Sequence, residues 1–572
     1  MKRREQSQTE QLRRALGERE AQLQEAQARL AALEASTSLQ VGRALTSAAK
    51  RPGRGLVRLP RDLFRLWRRS GRTTQATGRR KPDPVRSYET EREEARLLSG
   101  APGAPDGRLS VAGVLSAEAA EALRPYVRVV PLLPHDAQPV FESVDVDAVL
   151  VTASAAAPGA AGPWAHTGDP AAADRTRALA WVLEAASARG VPTVLLEDAP
   201  APPALARLGF DLVHEGGAGV PLHRFNPIAA DPERSAEPVR LAASRPSGAA
   251  ARRLLGALGD DGPRTAEVSW EDLPDLLRSA SSVVVEDAAA ADRALACGAR
   301  ALLVGRGRDG QDRAAAVPPG AADPAAVLRE LERVRRDGPL SPEEVRAVLR
   351  SVFLTDAVPV RLAEVFGKVD FAPGSAGASA VLAGRRAAVL AAPADDTAAL
   401  ALADDLLNQD LPPAEAVVPA EAAHLAGVER LRSFGVPVRT ASGVPAGGPG
   451  HRRWAVLARE ATAPWSVLWR EPRGPGLLAD LLCAAECSGA DAVGAATVPG
   501  GGDGAWEAAT ADQDYVFVGG VRPDLARTEL AGRGIDPGLW NRHGARLLAL
   551  GPGLAAGEAA QAGAAGGVPG AP

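Results

Sequence analysis

Residues 464–494 constrain the fold more than any other stretch of the chain. Residues 465–469 are a short apolar run that reads as a buried strand, and 470–476 form a turn crowded with Pro, Gly and charge. Leu477, Leu478, Leu481, Leu482 and Ala485 then repeat at helical spacing through Ser488, and a second strand begins at 490–493. A strand, tight loop, helix and strand in this order present the loop at the carboxyl end of a sheet, where α/β proteins take their ligands.

The same alternation runs upstream. Strands are expected at 109–115, 127–133, 144–152, 191–198 and 210–214, with helices at 117–123 and 174–189. A linker at 220–227 leads into strands at 239–243, 265–268, 282–285 and 299–304, with helices at 270–279 and 288–297. This pattern predicts parallel, helix-covered sheets. Two consecutive halves of this kind predict two Rossmann-like domains facing across a cleft. A helix over 341–353 has Ser341 as its cap, Pro342 at its first position and Glu343 and Glu344 at its positive end. A further helical turn follows at 360–366. After a small-residue linker at 372–379, a strand at 386–392, a helix at 397–409 and a strand at 414–418 open a third unit, and 515–521 reads as one more strand.

A length of 572 residues allows about three such units at roughly 150 residues each. The total charge of −4 hides an uneven distribution. Leu12, Leu16, Leu23, Ala26, Leu30 and Leu33 keep a 3–4 spacing, which predicts a coiled coil over 1–35 and self-association through it; a single helix docked on its own chain is the other reading. In 36–82 thirteen Arg and Lys face one acid, Asp62. Leu59, Leu63, Leu66 and Trp67 share a helical face flanked by arginines, the usual pattern for lying on an anionic membrane surface. A solvated linker fits the same composition. A bare Arg stripe offers little base readout, so no nucleic-acid partner is expected. Cys297, Cys483 and Cys487 fit a reduced compartment. Cys483 and Cys487 are four apart with no further ligand nearby, so buried thiols rather than zinc are expected. No segment reaches the length of a membrane span and no secretory signal opens the chain. The expected location is cytoplasmic, peripheral on the inner face of the membrane.

Two regions resemble known families. FDLVHEGGAGVPLHRFNP, then EDLPDLLRSASSVVV, then RALACGARALLVG resemble CgeB-type GT-B-like glycosyltransferases, which carry Phe-Asp, then Phe-Asn-Pro, then a Phe-Glu-x-x-Ala-Cys-Gly helix. Leu295-Ala296-Cys297-Gly298 matches that helix; Asp292-Arg293 stands in place of Phe-Glu, and Ala280-Ser281 in place of Ala-Asp. The glutamate contacts the donor in that group, so Arg293 reverses the local charge. Residues 385–552 resemble family 2 glycosyltransferases of the GT-A fold through Asn408-Gln409, Gly474-Pro475, Leu478-Ala479-Asp480-Leu481, Ser488-Gly489-Ala490-Asp491 and the paired glycines Gly519 and Gly520. Trp469, Arg470 and Glu471 stand where that family has its metal-holding aspartates, and a diphosphate normally needs such oxygens to hold Mg²⁺ or Mn²⁺. Pro419-Ala420-Glu421 replaces its Asp-Asp-Gly, and residues 540–543, ending in His543, replace its general-base segment.

The resulting expectation is an α/β chain: a coiled coil at 1–35, a basic amphipathic helix and linker at 36–95, two Rossmann-like, GT-B-like lobes at 96–230 and 231–375, a degenerate GT-A-like domain at 380–555 and a disordered tail at 556–572. The resemblance implies transfer of sugar from a nucleotide-sugar donor to a cell-envelope glycan, with a catalytically inactive scaffold for active transferases as the alternative. His223 is the candidate base. Arg245, Ser247, Arg293, Gly298, Glu471, Gly519 and Gly520 are candidate donor-binding residues, Arg245 and Ser247 because a small-residue loop after a strand can hold phosphate. No metal and no cofactor are expected.

Overall fold

The computed structural model describes residues 107–160, 162–242, 255–256, 262–304, 313–317, 324–372, 375, 377–445, 450–470, 473–496, 515–517 and 521–550. The expected coiled coil, basic helix and C-terminal tail lie outside the described residues.

Three sheets organise the chain. The first contains β1 (Ser110–Val114), β2 (Arg128–Pro131), β3 (Ala148–Thr152), β4 (Thr193–Glu197) and β5 (Leu212–Glu215), all parallel, in the order β2-β1-β3-β4-β5. Every residue of β3 is buried, as a strand covered on both faces requires. Its side chains alternate between two cores. Val149 and Val151 pack with Phe141 of α2 (Ala137–Ser143) and with Leu179, Val182 and Leu183 of α3 (Ala173–Ala188). Ala148 and Leu150 face the opposite core, which α1 (Ala117–Leu123) joins through Leu123.

The second sheet repeats that order: β7 (Arg264–Ala266), β6 (Val239–Leu241), β8 (Ser282–Val285), β9 (Arg300–Val304) and β10 (Ala315–Val317) lie side by side and parallel. Its helices are α4 (Leu273–Ser279), α5 (Ala288–Ala296), α6 (Pro324–Asp337) and α7 (Pro342–Thr355). Ser341 caps α7 in a full capping box: its hydroxyl accepts from the Glu344 amide, and the Glu344 carboxylate accepts from the Ser341 amide. The chain then returns to the first sheet, where α8 (Val358–Phe366) fills the core under Leu150 with Leu362 and Phe366. The two crossings run side by side. The Val220 amide donates to the Asp356 carbonyl at 2.8 Å, and the Val358 amide donates to the Val220 carbonyl at 3.1 Å. Gly219 has φ +102° there, and a Cβ would stand 2.5 Å from that Asp356 carbonyl oxygen.

The third sheet is mixed. Its strands are β11 (Ala387–Leu390), β12 (Glu415–Pro419), β13 (Val438–Ala441), β14 (Trp465–Leu468), β15 (Ala492–Ala496), β16 (Tyr515–Phe517), β17 (Val521–Arg527) and β18 (Leu547–Leu550), ordered β13-β12-β11-β14-β17-β15-β18-β16. β17 runs antiparallel to both neighbours. The single strand expected at 515–521 is two strands in different places: β16 lies on the sheet edge and β17 in the middle. Leu525 and Ala526 are apolar enough for a central position, and Pro523 is accommodated where the register with β15 shifts at Val493/Gly494. The helices are α9 (Asp396–Leu407), α10 (Ala426–Ser433), α11 (Gly450–Glu460), α12 (Leu477–Ser488), α13 (Thr528–Arg533) and α14 (Pro537–Arg542). α12 ends at Gly489, whose φ of +63° is the left-handed cap a helix terminus favours. One hydrophobic core runs from α5 and α7 of the second sheet through α12 to β11 and β14 of the third. Among the described residues no helix is long and apolar enough to cross a membrane.

Candidate functional site

The segment joining the first two sheets carries His223 and Arg224. Arg224 ion-pairs with Glu121 of α1 and donates to the carbonyls of Trp270 and Glu271 at 2.8 and 3.0 Å. The Trp270 indole N–H completes the triangle, donating to Glu121 Oε2 at 2.9 Å. Arg293 of α5 stacks on the same cluster, its guanidinium 5.2 Å from the Trp270 ring and 5.7 Å from Phe225. Its Nε is buried without a hydrogen-bond partner. Of the residues expected from sequence, Arg293 therefore shares the Trp270 ring with Arg224.

His223 faces a different neighbourhood. Its ring meets Tyr126 edge-on at 6.0 Å and lines a cavity of about 710 Å³ shared with the third domain. Its Nδ1 is buried without a partner. Burial lowers its pKa, and Arg224 adds to this against the pull of Glu486 and Glu121, so the ring is neutral at pH 7. The Tyr126 hydroxyl donates to Glu486 Oε1 at 2.6 Å, and Arg385 grips the same carboxylate through Nε at 2.7 Å and Nη2 at 2.9 Å. The Arg385 guanidinium lies 3.8 Å over Phe353. Burial, then the Glu486 charge, pushes the Tyr126 phenol well above its ordinary range. Sequence reading passed over Tyr126 and Glu486. The available signal was that α12 carries only two charges in an otherwise apolar repeat.

Gly298 follows α5 with φ +84°, and a Cβ there would stand 2.8 Å from the Arg234 guanidinium, which donates to the Cys297 carbonyl at 2.8 Å. Its place is a helix end under an arginine. The amino end of α5 is capped by the Asp287 carboxylate, which accepts from the Ala290 amide. Glu286 beside it pairs with Arg240 at 2.7 Å. Two acids there oppose an incoming anion. Arg245 and Ser247 lie outside the described residues, as do Glu471, Gly519 and Gly520.

At the carboxyl edge of the third sheet, Arg470 reaches across to β17, with Nη1 2.8 Å from Asp524 Oδ1 and Nη2 3.0 Å from the Pro523 carbonyl. Arg473 stands 3.6 Å from the same carboxylate, which is almost fully buried. The turn after β14 is held from α9: Asp405 Oδ2 accepts from the Trp469 indole at 3.0 Å and from the Arg473 amide at 2.8 Å. Gln409 donates to the Gly474 carbonyl at 2.9 Å and accepts from the Leu478 amide at 3.2 Å. The Arg350 guanidinium crosses Gly476, so a side chain there would have to displace that group from Asp480. Arg470 and Arg473 of this loop are thus held by Asp524 and Asp405, acids from elsewhere in the fold. Among the described residues no group of three or more His, Cys, Asp or Glu is arranged to hold a metal ion. No family model matches the chain, and no curated protein matches it.

Proposed function

We propose that the chain is a glycosyltransferase-like protein that takes a nucleotide-sugar donor between its first two sheets, with a third domain that keeps a transferase-like scaffold for structural use. The observation that carries this reading is the repetition of one strand order in two consecutive parallel sheets, β2-β1-β3-β4-β5 and β7-β6-β8-β9-β10, joined by paired crossings at Val220 and Ala357. Each is the doubly-wound order 2-1-3-4-5, whose switch point lies outside the carboxyl ends of its first and third strands, and two such sheets in succession fit a two-lobed, GT-B-like arrangement. The mixed order of the third sheet, with β17 reversed, fits a GT-A-like scaffold. In the Trp270 cluster Arg293, whose Nε has no hydrogen-bond partner, is the positive group placed to meet a leaving diphosphate; His223, the base candidate from sequence, lines the other cavity. A thermal-shift screen of the full chain against nucleotide sugars in EDTA tests this. A saturable rise with one donor, lost in Arg293→Gln, is expected; no response to any donor overturns the reading.

A second reading is a catalytically inactive scaffold. It is favoured by the Asp287 carboxylate on the amino end of α5, which opposes an anion there, and by the pairing of Arg470 with Asp524, which commits to structure a position where the family 2 resemblance has a metal-holding aspartate. It expects donor binding, if measured, without release of nucleoside diphosphate in a coupled assay.

A further inference from the structure

The cavity beside His223 lies at the amino ends of its strands. Arg108 stands just before β1, Arg386 just before β11, Trp465 opens β14, and Arg527 closes the antiparallel β17. This is the edge opposite to the one where α/β sheets take their principal ligand, so an occupant here is separate from a donor between the lobes. The lining is strongly biased in charge. Four arginines, Arg108, Arg385, Arg386 and Arg527, face it with a single carboxylate, Glu486. Glu486 is spent on Arg385, which it holds through both oxygens. Arg386 and Arg527 are exposed to the cavity and form no ion pair among the described residues. The Arg527 guanidinium is laid on the Trp465 ring at 4.0 Å, which fixes its position without neutralising it. Asp491 and Glu529 act on it at a distance from the neighbouring cavity, which Arg527 also lines, and neither forms an ion pair with it among the described residues.

We propose that this cavity is a binding site for a phosphate- or diphosphate-bearing small molecule, gripped by Arg386, Arg527 and Arg108. Guanidinium forks match phosphate oxygens two at a time, and arginines arriving from three separate segments surround such a group as one flexible loop does not. A volume of about 710 Å³ lies within the range of ordinary small-molecule pockets. The wall is shared: Arg108 and Tyr126 belong to the first sheet's domain, and Arg386, Trp465 and Arg527 to the third. An anion bound there ties the first domain to the third and stabilises the whole chain by linkage.

The probe is inorganic pyrophosphate, titrated into the full chain in EDTA and followed by calorimetry and thermal midpoint. One saturable site and a rising midpoint are expected. Arg386→Gln with Arg527→Gln is expected to weaken binding by about tenfold or more, since each removes a charge-assisted contact, while the unliganded midpoint falls only slightly, through loss of the Arg527–Trp465 stacking. Arg293→Gln, in the Trp270 cluster, is expected to leave pyrophosphate affinity unchanged. Loss of binding in Arg293→Gln with retention in the double variant overturns the inference and leaves the donor-binding reading standing. No pyrophosphate binding at all overturns the inference as well. Water-soluble dihexanoyl phosphatidic acid distinguishes the source: displacement of pyrophosphate by it upholds the site as one for a lipid-borne phosphate, and failure to displace upholds it as one for a free anion.

Discussion

Arg350 of α7 grips Asp480 of α12 with two parallel hydrogen bonds, Nε to Oδ1 at 2.8 Å and Nη2 to Oδ2 at 2.6 Å. Arg346, one turn earlier, stands 4.0 Å from the same carboxylate. The Asp480 side chain is 9% exposed. Burial raises its pKa above the usual carboxylate range, and the two arginines work against that shift. The aspartate that resembles part of a donor-binding helix is therefore the fastening between the second and third sheets.

Removing either partner leaves the other charge poorly solvated. Asp480→Ala and Arg350→Ala are each expected to cost about 3 kcal/mol, at the low end for a buried pair because Arg350 keeps some exposure. Arg350→Lys is expected to recover little, since an ammonium cannot make the two-pronged contact. The double variant, measured by denaturant midpoint of the full chain, should show a coupling of about 1–3 kcal/mol. Strictly additive losses would mean that the pair does not act as a unit.

His223 makes stability depend on pH in a definite direction. Its folded pKa lies below the ordinary 6.5, chiefly through burial. Between those two values the unfolded chain binds more protons than the folded one. The neutral ring is therefore tolerated above pH 6.5, and stability falls as pH drops below it until the folded ring also protonates. His223→Gln removes that titration. Its denaturant midpoint should fall less than that of the native chain between pH 7.5 and pH 5; equal slopes would show that the ring is not the group responsible.

All three thiols should resist modification in the folded chain. Cys297, Cys483 and Cys487 are buried. Burial pushes the Cys297 thiol up to about 12. Cys483 is raised well above its ordinary value by its contact with Cys487, 3.9 Å away, and by burial. Thiolates are the reactive species, so a colourimetric thiol reagent at pH 8 should titrate no cysteine in the native chain and all three in guanidinium. Rapid native reaction of one thiol would place that cysteine at a surface.

The backbone was more legible than the chemistry. Leu477–Ser488 and Ala117–Leu123 were readable to the residue because each has a regular apolar repeat and a clear stop or cap: Gly489 after the first, Ser116 before the second. Residues 420–460 went unread. α11 carries Arg452, Arg453 and Arg459, and β13 shows Arg439 and Thr440 to solvent, so their apolar periods are diluted. The strand at 515–521 misled because two short apolar runs lie close in sequence and apart in the sheet. Site residues were harder still. Glu486 meets Tyr126 across 360 positions and Asp480 meets Arg350 across 130. Nothing local marks such partners. Gly476 looked like part of a ligand loop, and in the fold the Arg350 guanidinium lies across it.

Nine of the twelve residues of α12 have no wet side. A helix like that cannot stand at the rim of an independent module. Severing the chain near residue 380 would strip it of α7 and leave an oily wound across the remaining piece, so a truncated product would clump before it could be assayed. The second and third sheets thus share one core. Any shorter cousin built from the last sheet alone would need water-loving side chains at the positions of Leu482, Cys483 and Glu486's apolar neighbours.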